Sequence, residues 1–421
     1  MRYARIWGIL VLSSETVFTQ LGDVINIHDH ARIPLSSMER MEMQGDYPYY
    51  GATSVMDYVD SFIFSGLHLL LAEDGSVLNE DGTPVLQLVD GDFWVNNHAH
   101  VLTGSDDVDT RFAYYALSIA YAAPWVTGAV QLKINQRWMK RIEINYPNRE
   151  RRESIVEYLN KFDDLMDNKM AMIEKTEKLI SRLFRSWFID FDPVKSKLER
   201  RLPHGMDEET AALFSDTFVE TEHGLIPSGW KWGKLGDCIS IVGGATPSTK
   251  NNEFWDGPYN WTSPKDLSGS ESVILLDTEK TITEAGLAKI SSGLLPENTV
   301  LMSSRAPIGY VALTKIPVAI NQGYIAILPE GTMSPNFMLS WINFNMRLIE
   351  AYSSGSTFPE ISKREFRKLP ILIPPAELIE KFNEKTNRLY EFMETCLKQM
   401  NSLRSIRDAV LPKLMSGEIG V

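Results

Sequence analysis

The chain has 421 residues, 44% of them apolar and 23% charged, a composition that excludes disordered and fibrous classes and allows two or three domains with buried cores. Its two cysteines, Cys238 and Cys396, exclude a disulfide framework or a metal cage of cysteines and suit a reducing, cytoplasmic setting. The net charge of −13 excludes a protein that holds nucleic acid by overall positive charge. That acidity is local: residues 1–148 carry −9 and 189–225 carry −5, while 149–188 carry +1 and both 226–375 and 376–421 are neutral.

At the start of the chain, Arg2 and Arg5 precede a seven-residue apolar run, 6–12. The run is too short for a membrane span and lacks a cleavage site, which leaves a buried N-terminal strand. Residues 1–148 read as one mixed α/β domain. Stretches 62–64, 67–72 and 93–95 are strand-like, 45–51 is a turn, and 111–122 is a helix with Phe112, Tyr115 and Ile119 on one side. A long helix follows over 149–188. Residues 189–225 are a linker with a short helical stretch at 208–214. A second α/β domain covers 226–375, with strands at 299–303, 310–313 and 324–328 and a helix at 336–351. A second long helix, 376–417, is closed by Gly417.

The two halves repeat. Leu21-Gly22-Asp23 returns as Leu235-Gly236-Asp237, and 97–101 pairs with 321–325 at an offset of 224. Gly128 pairs with Gly355, Ile142 and Ile144 with Leu369 and Ile371, and Pro147 with Pro374, all at 227, an offset then kept to the end of the helices. Drift within the domains and constancy in the helices is what loop insertion in globular parts produces.

In the first helix Ile155, Leu159, Phe162, Met166, Ile173, Ile180, Leu183 and Trp187 follow alternating steps of four and three, with Lys169 and Thr176 at the polar positions. In the second, Phe382, Leu389, Met393, Cys396, Met400, Leu403, Val410 and Leu414 do the same, with Thr386 and Arg407 polar. Such spacing marks a coiled-coil seam. A tandem repeat with pseudo-twofold symmetry runs the two helices antiparallel, with one domain at each end.

Catalytic signatures are absent. There is no glycine-rich cofactor loop, and no Asn/Asp-Pro-Pro-aromatic tetrad to hold a target amine. The 243–250 stretch lacks the Gly-Lys-Ser/Thr ending of a phosphate loop. His28 with His30, and His98 with His100, have strand spacing but no cysteine or carboxylate at ligand spacing, so no metal site is expected. The chain reads as a binder.

For duplex DNA, Arg137, Lys140 and Arg141 return as Arg364, Arg367 and Lys368, a pattern suited to phosphate contacts placed twice. Candidates for base reading are Tyr47, Tyr49, Tyr50, Asn96, Asn97, His98 and His100 in the first domain. In the second they are Lys250, Asn251, Asn252, Lys265, Ser303, Ser304, Arg305, Gln322 and Tyr324.

Several stretches together resemble the specificity subunits of type I restriction-modification systems. They include Gly45-Asp46-Tyr47-Pro48-Tyr49-Tyr50-Gly51-Ala52, Val95-Asn96-Asn97-His98-Ala99-His100-Val101, Arg185-Ser186-Trp187-Phe188-Ile189-Asp190-Phe191-Asp192-Pro193 and Leu411-Pro412-Lys413-Leu414-Met415-Ser416-Gly417-Glu418-Ile419. The resemblance implies an α+β chain: two mixed α/β target-recognition domains in pseudo-twofold tandem repeat, separated by two long antiparallel helices forming a coiled coil. It implies a non-catalytic subunit whose domains each read half of a split DNA site. The helices would set the gap and dock two modification subunits. S-adenosylmethionine, ATP and Mg would be bound by partners, restriction subunits being optional among them, and nothing points to a membrane. A scaffold that binds only proteins is the alternative. One departure stands out: Arg151-Arg152 and Leu378-Ile379 occupy places where the family often has a Glu-Gln pair.

Overall fold

The computed structural model describes residues 17–128, 131–355 and 359–421. The strand expected within 1–12 lies outside them. The chain divides into two compact units, 17–166 with 401–421 and 167–400, so the division cuts both long helices rather than falling at their ends. Each unit holds one α/β domain and one half of each helix.

In the first unit, one antiparallel sheet runs in the order Asn26–Ile27, Ala99–Thr103, His68–Ala72, Leu86–Val89. A second runs Val55–Val59, Gln44–Tyr50, Asp92–Val95, Phe64–Ser65, its middle pair parallel. The second unit repeats both. Ile239–Val242, Tyr324–Gly331, Val300–Ser304 and Ile308–Thr314 follow the order of the first sheet, with Ile274–Leu275 added parallel at its edge. Lys280–Ile282, Trp255–Thr262 and Ala319–Ile320 follow the first three strands of the second, the pair Trp255–Thr262 and Ala319–Ile320 being parallel as its counterpart is. The repeat is therefore one of topology.

Hydrogen bonds correct its register. Asn96 N–H donates to the Tyr50 carbonyl and Asn321 N–H to that of Thr262, both at 3.0 Å. Each asparagine then accepts from the amide two residues on, at 2.7 Å. Asn96, not Asn97, is thus the counterpart of Asn321.

Several local expectations change. The 45–51 turn is strand, because Gly45 lets the backbone approach Asp60 where a Cβ would stand 2.3 Å from its Cα. The 111–122 helix is Asp107–Leu117, started by Asp106 accepting from the Asp109 amide. The 336–351 helix is two, Pro335–Phe344 and Met346–Ala351, broken at Asn345, whose side chain bonds the Trp341 carbonyl. The linker is more ordered than expected, with helices Asp192–Leu198 and Glu208–Ala212 and a hairpin of Phe218–Thr221 with Gly224–Pro227.

The long helices are Arg149–Phe188 and Ala376–Ser416, ended in the second case by Gly417 at φ 80°. Asn148 starts the first by accepting from the Arg151 amide. No residue expected in the seam is exposed: Phe162, Leu183, Leu389, Leu403 and Val410 are half-buried and the rest buried. Three of the four polar seam positions are satisfied, Thr176 and Thr386 by their own helix carbonyls and Arg407 by Asp163 at 2.9 Å. Val156, Phe184, Phe188, Tyr390, Leu397, Leu411 and Met415 are buried as well. These additions exist because each helix half packs under a domain in addition to its partner helix.

The helix segments run antiparallel in both units. In the first, Arg151 donates to the Leu414 carbonyl while Asp163 meets Arg407. In the second, Phe184, Trp187 and Phe188 surround Phe382, while Glu177 lies within charge range of Tyr390. The Arg151-Arg152 departure has a structural reason. Arg151 places its charge at a helix C-terminus, where cations are favoured. Arg152 bonds Asp109 at 2.9 Å and lies 4.1 Å over the Tyr146 ring. Leu378 and Ile379 are simply buried.

Asn160 and Asn387 hold the equivalent place in the repeat. Asn160 accepts from Tyr115 at 2.9 Å, and Asn387 from Asn336 at 2.7 Å, so the same residue fastens a domain helix to a long helix twice. Phe382 is fully buried with Phe337 on the domain side. Phe382→Ala is expected to cost about 3–5 kcal/mol, read as a lower urea midpoint for the full chain; a shift within error would contradict this packing.

Candidate nucleic-acid interface

Two short helices carry the paired basic residues. In the first unit Asn135 starts Gln136–Met139 by accepting from the Trp138 amide, and Met139 is buried. The other side is left outward, and Arg137, Lys140 and Arg141 are all exposed. Arg137 and Arg141 lie 5.4 and 4.9 Å from the Trp138 ring, which stacks on Trp125 at 5.9 Å. None of the three cations has an acidic partner among the described residues.

In the second unit Ser362 starts Lys363–Arg367 and Phe366 takes the buried place of Met139. Arg364, Arg367 and Lys368 are exposed; Lys368 bonds Glu365 at 2.6 Å. The repeat extends to what anchors these helices. A Cβ on Gly22 would stand 2.7 Å from the Cβ of Lys140, and one on Gly236 2.8 Å from that of Arg367. The glycine of each Leu-Gly-Asp turn is therefore the floor on which a basic residue lies. Leu21 N–H bonds the Ile142 carbonyl at 2.8 Å and Leu235 N–H that of Leu369 at 2.9 Å, which closes the same link in both domains.

The base-reading candidates divide by burial. Asn97, His98, Lys250, Asn252, Lys265 and Gln322 are exposed, and Tyr47, Tyr50, Asn251 and Arg305 half-buried. Among these, Tyr47 packs on Phe62, burial pushes the Tyr50 phenol up, Asn251 starts a helical turn, and Lys265 pairs with Glu279. Six others need correcting, because they are buried and committed to the fold. Tyr49 accepts from the Leu35 amide in a core with Val59 and Trp94. Asn96 shapes its own turn. Ser303 and Ser304 donate to the Pro307 and Gly323 carbonyls. Tyr324, its phenol pushed up by burial, contacts Thr262. The sixth is His100.

His100 is fully buried at the centre of a polar cluster. One ring nitrogen is 2.6 Å from the Asp29 carboxylate, and the other donates to the Ile134 carbonyl at 2.8 Å. Asp29 also accepts from Val101 N–H and from Gln136, which ties the basic helix to the sheet. Burial alone would raise the Asp29 pKa, but the His100 bond and charge, with Val101 and Gln136, outweigh it and hold the carboxyl below its ordinary value.

Asp29, Glu73 and His100 offer ligand atoms within 4.8 Å of one another. The donor set does not fit a resident metal. Arg32 already sits on Glu73 at 2.8 Å and on Asp29 at 3.5 Å, and Lys133 reaches Glu73 at 3.1 Å, so the negative charge is spent. The 243–250 stretch is no phosphate cradle either: a Cβ on Gly244 would stand 1.7 Å from the Ile320 carbonyl oxygen, so that glycine serves close strand approach.

Reading the sequence did not single out Arg32, Lys133, Lys363 or the Trp125–Trp138 pair. Lys133 and Lys363 lie within a few residues of the basic triplets, which was the available signal; Arg32 has none, because its partners come from distant strands.

A stability test follows from Asp29. A carboxyl whose folded pKa is lowered contributes stability that is complete above its unfolded value and is lost as pH falls through the folded one. Asp29→Asn should therefore unfold at lower urea than the parent at neutral pH, by on the order of 1–3 kcal/mol. The gap should close as the pH drops below the ordinary carboxylate range. A gap that persists undiminished in acid would refute the ionised Asp29 carboxylate.

Comparison with known proteins places these features. The family model described as type I restriction modification DNA specificity domain matches twice, at residues 13–177 and 227–381. The MjaIX specificity subunit of Methanocaldococcus jannaschii is 35% identical over 193 residues, covering 45% of this chain and 44% of that one. The HindI specificity subunit of Haemophilus influenzae is 26% identical over 320 residues, covering 66% and 69%. The chain thus spans less than half the length of the first relative. A crystal structure of a type I S subunit from M. genitalium aligns over 96% of this chain and 98% of that one, at 17% identity and a TM-score of 0.49. Among the described residues, no helix is long and apolar enough to cross a membrane.

Proposed function

The chain belongs to the type I restriction-modification DNA specificity family, and from that premise we propose that it is the sequence-reading subunit of such a system. Each α/β domain reads one half of a split duplex target. The paired helices fix the gap between the halves and dock two modification subunits, which carry the S-adenosylmethionine chemistry. Restriction subunits using ATP and Mg are optional further partners. The chain itself is non-catalytic, binds no cofactor and works in the cytoplasm.

The observation that carries this reading is the doubled basic helix. Arg137, Lys140 and Arg141 recur as Arg364, Arg367 and Lys368, each set exposed and each resting on the glycine of a Leu-Gly-Asp turn. A scaffold for proteins alone has no need of cations placed twice in one geometry. The net charge of −13 is consistent with it: phosphate attraction is local, and the partners supply the rest of the clamp.

Methylome sequencing of a host that expresses the chain with its modification subunit tests the reading. A bipartite methylated sequence with a fixed spacer is expected; a contiguous sequence, or none, would overturn it. Adding one heptad to both long helices should lengthen the spacer by roughly three base pairs, since seven residues rise about 10 Å, with both half-sequences kept. Replacing Arg137, Lys140 and Arg141 with serine should weaken duplex binding for all sequences alike. The dependence of log affinity on log salt should flatten by about 0.9 for each phosphate contact removed. An unchanged slope would show that these cations do not touch phosphate.

A further inference from the structure

The two domains present one backbone crossing with opposite charges. In the first, Glu73 N–H donates to the His98 carbonyl at 2.8 Å, and Ile134 N–H to the Glu73 carbonyl at 2.9 Å. In the second, Ser304 N–H donates to the Gly323 carbonyl at 2.8 Å, and Ile361 N–H to the Ser304 carbonyl at 3.0 Å. One residue beyond, Asp74 bridges to Lys133, which bridges back to Thr127; Arg305 bridges to Glu360, which bridges back to Ser354. Hydrogen bonding, rather than sequence likeness, thus makes Asp74 the counterpart of Arg305 and Lys133 that of Glu360.

At these places the charges are exchanged. Lys133 lies 3.9 Å from Asp74 and 3.1 Å from Glu73, with Lys133 45% and Asp74 16% exposed. Arg305 lies 3.6 Å from Glu360, and these side chains are 43% and 49% exposed. The neighbouring turn adds His98 in the first domain, 46% exposed and 2.6 Å from Asp74, and exposed Gln322 in the second. The basic helices begin three residues after Lys133 and after Glu360, at Gln136 and Lys363, so this crossing lies beside the cations assigned to phosphate.

We propose that this crossing is the base-reading element of each domain, and that its exchanged ion pair determines which bases the domain selects. The inference rests on the DNA-reading function above. A guanidinium or ammonium group donates to guanine O6 and N7, while a carboxylate accepts from cytosine N4. Exchanging the two at a fixed backbone position turns round the preferred orientation of a G·C pair. One fold can then read two unlike half-sites without any change of framework.

The test uses the full chain with its modification subunit, in a host without other methylation of this type, read by genome-wide methylation sequencing. Arg305→Asp combined with Glu360→Lys gives the second domain the polarity of the first while keeping an ion pair. It should change one base position in one half-site and leave the spacer and the other half intact. Arg305→Ala should relax that position about tenfold. Methylation of the unaltered sequence by the exchanged chain would overturn the inference while leaving the DNA-reading function standing. Absence of any bipartite sequence with the unmodified chain would remove that function, and the inference with it. If the exchanged chain methylates nothing, selection of duplexes randomised in the second half-site by the purified complex decides. Enrichment of an altered base supports the inference, and enrichment of the original base or of none overturns it.

Discussion

Burial of one flank of each long helix beneath an α/β domain is the interaction on which the rest depends. A helix of 40 residues has far more apolar stripe than a single antiparallel neighbour can cover. In the first unit Ile155, Val156 and Leu159 belong to the same core as Leu21, Phe112, Ile142 and Ile144, together with Leu411 and Leu414. In the second, Phe184, Phe188 and Phe382 close on Phe337. The helices are thereby the floor of each domain. The strand pair that carries Ile144 or Ile371 and the short basic helix just before it are held at a fixed place relative to that floor.

Electrostatics follows from the same layout. Some acidic residues of the first domain are occupied internally: Asp109 takes Arg149 and Arg152, Glu73 takes Arg32 and Lys133, and Asp29 takes His100. Charges engaged in this way have little field left over to repel a polyanion. The cations of the basic helices, among which Lys368 pairs only with its neighbour Glu365, stand outside these networks, so a chain of strongly negative total charge still offers local attraction. The two domains reach that arrangement differently. Asp29, Glu73, His100 and Gln136 have Gly243, Ser304, Ile325 and Lys363 as counterparts, so the polar knot beneath the first basic helix has no equivalent in the second.

The long helices were legible because their spacing persists over some forty residues, and Gly417 carried a stop signal for the second. The paired basic residues were legible because a constant offset singled them out. What the residue types did not reveal was which polar and aromatic groups of the domains are buried. Tyr49, Ser303 and Tyr324 have the chemistry of a groove contact, yet their partners are main-chain groups or side chains far away in sequence. His100 is the sharpest case: an exposed histidine and a buried one paired with an aspartate 71 positions away look identical in sequence. The one-residue slip between Asn96 and Asn321 has a similar origin, since only the pairing with Tyr50 and Thr262 fixes which asparagine turns the chain.

The division of the chain through both helices bears on how it is made. Residues 401–421 complete a unit whose other members end at 166, and everything between belongs elsewhere. On the ribosome, the first domain emerges and then waits, its apolar floor uncovered at the places that Leu411, Leu414 and Met415 later fill, until residues 401–421 have been synthesised. In the second unit Phe184 and Phe188 wait in the same way for Phe337 and Phe382. Vectorial synthesis therefore leaves the earlier-encoded unit to be closed by residues 401–421, which are made last of its parts.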